Sequence, residues 1–139
     1  MLVLVSLAVI GAVVAVVLGE RDGGGSFYGF RPHLPETRDE RLAAANALAY
    51  ARAIVDGDSS RACTYAAGEN FDRLRCASRP RSDRYLHAVG KVHASHVALA
   101  ADLADVWVDG IQPGPGHSFQ LRRIGPKWRV ISDTAFGLA

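Results

Sequence analysis

The chain has 139 residues, with 16 Lys and Arg against 14 Asp and Glu and a net charge of +2. That length suits one anchor and one domain of about 100 residues, which can bury a working core with little to spare. The charge is too small to imply a nucleic-acid partner.

The first stretch, Met1 to Gly19, reads MLVLVSLAVIGAVVAVVLG, with no charged residue and Ser6 as its one polar side chain. At about 1.5 Å rise per residue, a helix of this length approaches the hydrocarbon thickness of a bilayer. The expectation is a membrane-spanning helix over residues 1–19. A cleavable signal peptide would carry Lys or Arg before the apolar run and a small-residue cleavage site after it, and neither is present. A buried core helix does not suit a run that is apolar all round and followed by a flexible linker. Within the span, Ala8, Gly11, Ala12, Ala15 and Gly19 recur at spacings that place small residues on one helix face. Such a stripe lets two backbones approach closely, so homodimerisation through the span is one expectation. The bland alternative is that Ala and Gly are simply common here.

Orientation draws on two opposed signals. Arg21, Arg31, Arg38 and Arg41 follow the span and nothing basic precedes it, which favours a cytoplasmic domain by the positive-inside rule. Cysteine usage points outside. The expected location is the cell membrane, single-pass, with the domain extracytoplasmic.

Residues 20–36, ERDGGGSFYGFRPHLPE, form a linker: its glycines resist regular structure, and Pro32 and Pro35 bias the chain to extended conformation. Phe27, Tyr28 and Phe30 suit an aromatic belt at the membrane interface or packing against the domain. Residues 37–139 are the α+β domain. Thr37-Arg38-Asp39-Glu40 is a capping box. Ala44, Ala47, Leu48, Ala51, Ile54 and Val55 then share one helix face, and Gly57 suits the left-handed stop. Asp58 or Ser59 caps a second helix through Cys63 to Ala67, which Gly68 breaks. Residues 71–76 predict a further turn or two.

Residues 78–84 are a loop, and the period then changes to that of strands. Leu86, Ala88, Val92 and Ala94 alternate around Gly90, a bulge candidate. Val97, Leu99, Ala101 and Leu103 alternate next, followed by Val106 and Val108. Residues 109–116 are a turn region. Phe119 with Leu121 and Trp128 with Val130 mark two more strands, joined at Gly125-Pro126. The fold class is α+β: two or three helices packed on an antiparallel sheet of about four strands. Trp128 is a core anchor.

The segment AxxYARAIVDGD from Ala47 to Asp58, then RACTYAA, then SFQLRRIGPKWRV, resembles small actinobacterial members of the nuclear transport factor 2-like superfamily. The preference for Arg over Lys, with Lys91 and Lys127 the two exceptions, fits such a GC-rich source. The resemblance covers residues 37 to about 133. It implies a cone-shaped, cystatin-like α+β roll, a curved sheet wrapped on helices and enclosing a pocket. Members include isomerases, dehydratases, ligand-binding modules and interaction domains, some of them tethered parts of secretion machines, so fold does not choose function.

Cys63 and Cys76 predict one disulfide if the domain is outside; no C-x-x-C spacing supports a redox pair or a metal site. Arg73, Arg75, Arg79, Arg81 and Arg84 form the densest basic run, readable as contact with anionic lipid or as a solvated loop with local ion pairs. His87 and His93 share a face with Tyr85 and Lys91 that is expected to be solvated. His96 lies close by in sequence, and His117 is not placed. Catalysis in the superfamily implies an acid–base pair in the pocket. Asp102, Asp105, Asp109, Tyr50 and Tyr65 match no such motif, and no catalytic or metal residue is assigned. No cofactor is implied, and no small-molecule ligand is identified. The reading is a membrane-anchored, non-catalytic interaction or ligand-binding domain. The alternatives are a tethered isomerase or dehydratase and a scaffold subunit of a secretion-type membrane complex.

Overall fold

The computed structural model describes residues 32–80, 85–112 and 116–136. The expected span over 1–19, its stripe of Ala8, Gly11, Ala12, Ala15 and Gly19, and most of the linker lie outside the described residues. Among the described residues, no helix is long and apolar enough to cross a membrane.

Helix α1, Arg38–Asp56, starts where its capping box says it should. The Thr37 hydroxyl accepts the Glu40 amide at 3.2 Å, and the Glu40 carboxylate accepts the amides of Glu36 and Thr37, each at 2.9 Å. His33 Nε2 reaches the other carboxylate oxygen at 2.9 Å. The Thr37 amide is the main cause that lowers the Glu40 carboxyl to about 2; burial opposes it, and the Glu36 amide and His33 add to it. Gly57, at φ 74°, closes the helix with its amide on the last-turn carbonyls. The buried stripe is mostly alanine, with Tyr50 and Ile54 as its large members, so α1 lies close across the sheet.

Helix α2, Ser59–Cys63, is capped by Asp58, whose carboxylate accepts the Arg61 amide at 2.9 Å. It does not run on to Ala67 as expected. Residues 65–67 leave the helix to pair with the sheet edge: Val130 N–H donates to the Tyr65 carbonyl at 2.8 Å, and Ala67 N–H to the Val130 carbonyl at 2.9 Å. Gly68 therefore opens a helix instead of breaking one. It begins α3, Gly68–Arg73, at φ 53°.

Four strands follow in meander order: β1 His87–Ala100, β2 Leu103–Gln112, β3 Gly116–Ile124 and β4 Lys127–Phe136, each antiparallel to the next. The first hairpin turns at Ala101–Asp102, with Ala101 at φ 53°, inside the stretch expected to be one strand. The side-chain parity records the turn. Val97 faces the helices, whereas Leu103 lies beside Ala100 and Arg122 on the other face, and Ala104, Val106 and Val108 resume the buried side.

Gly90 lies within a register shift between Ala88 and His93, as the bulge expectation held. On the facing strand the same shift contains Gly110, at φ 83°, where an added Cβ would sit 2.3 Å from the Lys91 carbonyl oxygen. The close backbone approach requires glycine there. The core joins the α1 stripe to Val97, Val106, Val108, Phe119, Leu121, Val130 and Trp128. Trp128 is 2% exposed, as expected of an anchor.

Candidate functional site

Polar groups from four places in the chain converge where the core meets solvent, with Tyr50 buried, Tyr85 and Asp133 half-buried and Arg73 exposed. Tyr50 projects from the buried face of α1, Arg73 from the last turn of α3, Tyr85 from just before β1, and Asp133 from β4. The Tyr50 and Tyr85 hydroxyls are 3.2 Å apart. Arg73 donates to the Tyr50 hydroxyl at 3.3 Å and to the Asp133 carboxylate at 3.2 Å. Its guanidinium lies 4.2 Å from the Tyr85 ring centre. The Asp133 carboxylate lies close enough to the Tyr85 hydroxyl to help hold its proton.

Burial pushes both tyrosine hydroxyls above their ordinary range, so at neutral pH they are donors and not bases. Burial alone would weaken the Arg73 cation, but Tyr85, Asp133 and the Tyr50 hydroxyl outweigh it and hold the proton more firmly. Asp133, with its side chain 10% exposed, thus lies beside a cation and a phenol. Charge and hydrogen bonds close within the set, and it ties α1, α3 and β4 together.

Below it, the Tyr50 ring meets Phe119 edge-on at 5.8 Å, and Phe119 stacks on the buried His117 at 6.0 Å. Asn70, fully buried on α3, has neither amide atom hydrogen-bonded.

Two hollows open on the other side, where α1, α2 and α3 meet the β3–β4 hairpin. One, of about 410 Å³, is lined by Leu42, Asn46, Tyr65 and Pro126 among others. The second, of about 590 Å³, runs past Cys63, Gly68, Phe71 and Ile124. Thr64, Lys127 and Arg129 line both.

Cys63 and Cys76 lie at disulfide distance, with Cα atoms 5.5 Å apart across a separation of 13 residues. Three members of the basic run, Arg73, Arg75 and Arg79, are described, and all three are exposed. Arg73 is ion-paired with Asp133, Arg75 and Arg79 have no acid partner among the described residues, and Arg81 and Arg84 lie outside the described residues. His87, His93 and His96 are exposed, and His117 sits apart from them, buried against Phe119. Tyr85 shares their sequence parity but precedes the strand and turns in to Tyr50. Among the described residues, no three metal-ligating side chains gather. Asp105 is buried on β2, Asp102 is in the first hairpin turn, and Asp109 Oδ2 lies 3.9 Å from His93. None of the three belongs to the cluster around Tyr50.

Sequence reasoning missed that cluster because of one register shift. Trp128 and Val130 face the helices, and simple alternation would turn Asp133 outward. A bulge at Gln120/Leu121 brings Asp133 opposite Phe119 on the buried side. The chain matches no family model, no curated protein and no solved structure.

Proposed function

We propose that the chain is a single-pass membrane protein that displays a non-catalytic interaction or ligand-binding domain outside the cell, built on the nuclear transport factor 2-like plan. Its span is residues 1–19, its linker 20–36 and its domain 37–139. The observation that carries the non-catalytic reading is the cover on Asp133. A general base needs a lone pair facing substrate, and the Asp133 carboxylate already accepts from Arg73 at 3.2 Å, which balances its charge within the protein. The paired cysteines support an oxidising compartment. The order of helices before a four-stranded antiparallel meander supports the family plan. Exposed Arg75 and Arg79 remain available for an anionic surface.

Protease digestion of intact cells tests the location, with thiol alkylation before and after reduction. The domain should be cleaved from outside, and the Cys63 and Cys76 peptides should appear linked until reduced. Protection from protease, or two thiols free in the native membrane, would overturn the extracytoplasmic assignment.

A tethered isomerase or dehydratase is the second reading, favoured by the convergence of Tyr50, Tyr85 and Asp133. It requires that Tyr85→Phe abolish turnover of a hydroxyl- or carbonyl-bearing substrate without changing the melting temperature. An unchanged rate would exclude that role.

A further inference from the structure

The β3–β4 hairpin carries more cations than it neutralises. Register pairs Arg122 with Arg129 and Ile124 with Lys127. Cross-strand partners share a face, so Arg122, Lys127 and Arg129 surround Ile124, which is 50% exposed, on the face opposite Trp128 and Val130, and Lys127, Arg129 and Ile124 reach the β4 edge that borders residues 63–71. Like charges directly opposite one another disfavour strand pairing. Three arginines are matched by an acid, Arg61 by Asp56, Arg73 by Asp133 and, on the other face of this same hairpin, Arg123 by Asp39. Among the described residues, Arg122, Lys127 and Arg129 have no such acid.

Two of these three cations line both hollows. Around Lys127 and Arg129, the walls are Tyr65 and the 43% exposed Leu42 in one hollow, and Phe71 and Ile124 in the other. No Asp or Glu lines either one. The surface is therefore apolar, concave and positively charged at its centre, where the two hollows join.

We propose that these joined hollows are the docking site for a partner protein's polypeptide segment that carries acidic residues flanked by large apolar side chains. The proposal rests on the interaction-domain reading and names that partner's chemistry. Concavity favours a polypeptide over a lipid surface. The half-enclosed hollow of about 410 Å³ can take a compact side chain, which a polypeptide presents and a bilayer plane does not, while the larger one is a shallow, open depression beside it. Apolar side chains entering the hollows supply the anchors, and acidic groups on Lys127 and Arg129 set register and speed encounter.

The test uses the full chain in phosphatidylcholine nanodiscs, panned against a random phage-displayed dodecapeptide library. Selected peptides should place Asp or Glu beside Leu, Phe or Trp. Their affinity should fall about tenfold on the double change Lys127→Glu and Arg129→Glu, and fall again with added salt. Thr64→Trp, which fills the hollows without altering charge, should also block binding; it guards against misfolding of the charge-reversed chain.

Failure to select any peptide, selection without acidic bias, or equal binding to both variants would overturn the site. Peptides that bind the variants undiminished would leave the interaction-domain reading in place and remove only this surface. A photocrosslinker at Thr64 covers the remaining case, in nanodiscs containing phosphatidylglycerol. Crosslinking to the selected peptide supports the proposal; crosslinking to lipid overturns it in favour of a membrane-facing patch.

Discussion

Replacing Trp128 by Ala tests the packing logic at its densest point. The indole is 2% exposed, its backbone carbonyl accepts the Asn46 side-chain amide at 3.0 Å, and the Arg123 guanidinium lies 5.0 Å from its ring centre. A buried Trp removes about 200 Å² from water, worth about 5 kcal/mol at 25 cal/mol per Å² before relaxation. Measured aromatic-to-Ala changes in cores cost about 3–5 kcal/mol, and that range is the expectation here. Small domains are stable by only about 5–15 kcal/mol, so the variant should be close to its limit. With a urea slope of about 1.5 kcal/mol/M, the unfolding midpoint should fall by about 2–3 M. The assay is urea titration of the full chain in nanodiscs. Trp107 serves as the remaining fluorophore, since the chain has 2 Trp. Trp128→Phe should lie between the two. A Trp128→Ala midpoint within about 0.5 M of the parent would refute the anchor assignment.

Three further perturbations probe separate parts of the structure. Because the folded Glu40 carboxyl is lowered from 4.5 to about 2, its contribution is present above pH 4.5 and is lost as pH falls toward 2. Glu40→Gln should cost about 1 kcal/mol at neutral pH and flatten the acid limb of a stability–pH curve; an unchanged slope would contradict it. Gly110→Ala places a Cβ 2.3 Å from the Lys91 carbonyl oxygen in a left-handed conformation. It should lower the melting temperature by about 8 °C or more and speed amide exchange along β1 first. Arg73→Met leaves Asp133 without its cation and, because the arginine is itself solvent-exposed, should cost about 1 kcal/mol, whereas adding Asp133→Leu should restore part of the loss. If the double variant is no better than the single one, the ion pair is not the link that matters.

Local chemistry made much of the fold legible. The capping box at Thr37 and Glu40 and the left-handed stop at Gly57 each involve residues only a few apart, so their geometry is written where it acts. Four strands and the burial of Trp128 follow from alternation, which needs no knowledge of partners. What escaped depends on distant pairing. α2 stops at Cys63 because residues 65–67 bond to Val130, which the helical pattern does not show. The turn at Ala101–Asp102 carries neither Gly nor Pro, and its one trace was the change from odd to even burial between Leu99 and Val106. The cluster around Tyr50 was hidden for the same reason: the β3–β4 bulge sets the facing of Asp133, and contact between Tyr50 and Tyr85 spans 35 residues. The hollows were also illegible, because Lys127 and Arg129 read as ordinary strand polar positions until helices and hairpin are set side by side.

Among the described residues, mechanical load drawn through the amino-terminal segment would first meet His33. That residue is stitched to the edge of β1 by two main-chain bonds, His33 N–H to the Val97 carbonyl at 3.1 Å and Val97 N–H to the His33 carbonyl at 2.8 Å. Its side chain is held by Glu40, which also grips the amides of Glu36 and Thr37. Tension is therefore shared between a strand edge and a helix end before any of it reaches the apolar core. These few bonds can peel one after another, while the core contacts must yield together. The arrangement would act as a mechanical fuse if those two bonds part before the core does, freeing a segment whose full extended length is at most roughly 13 Å. The domain behind it would then keep its shape until the pull is much stronger.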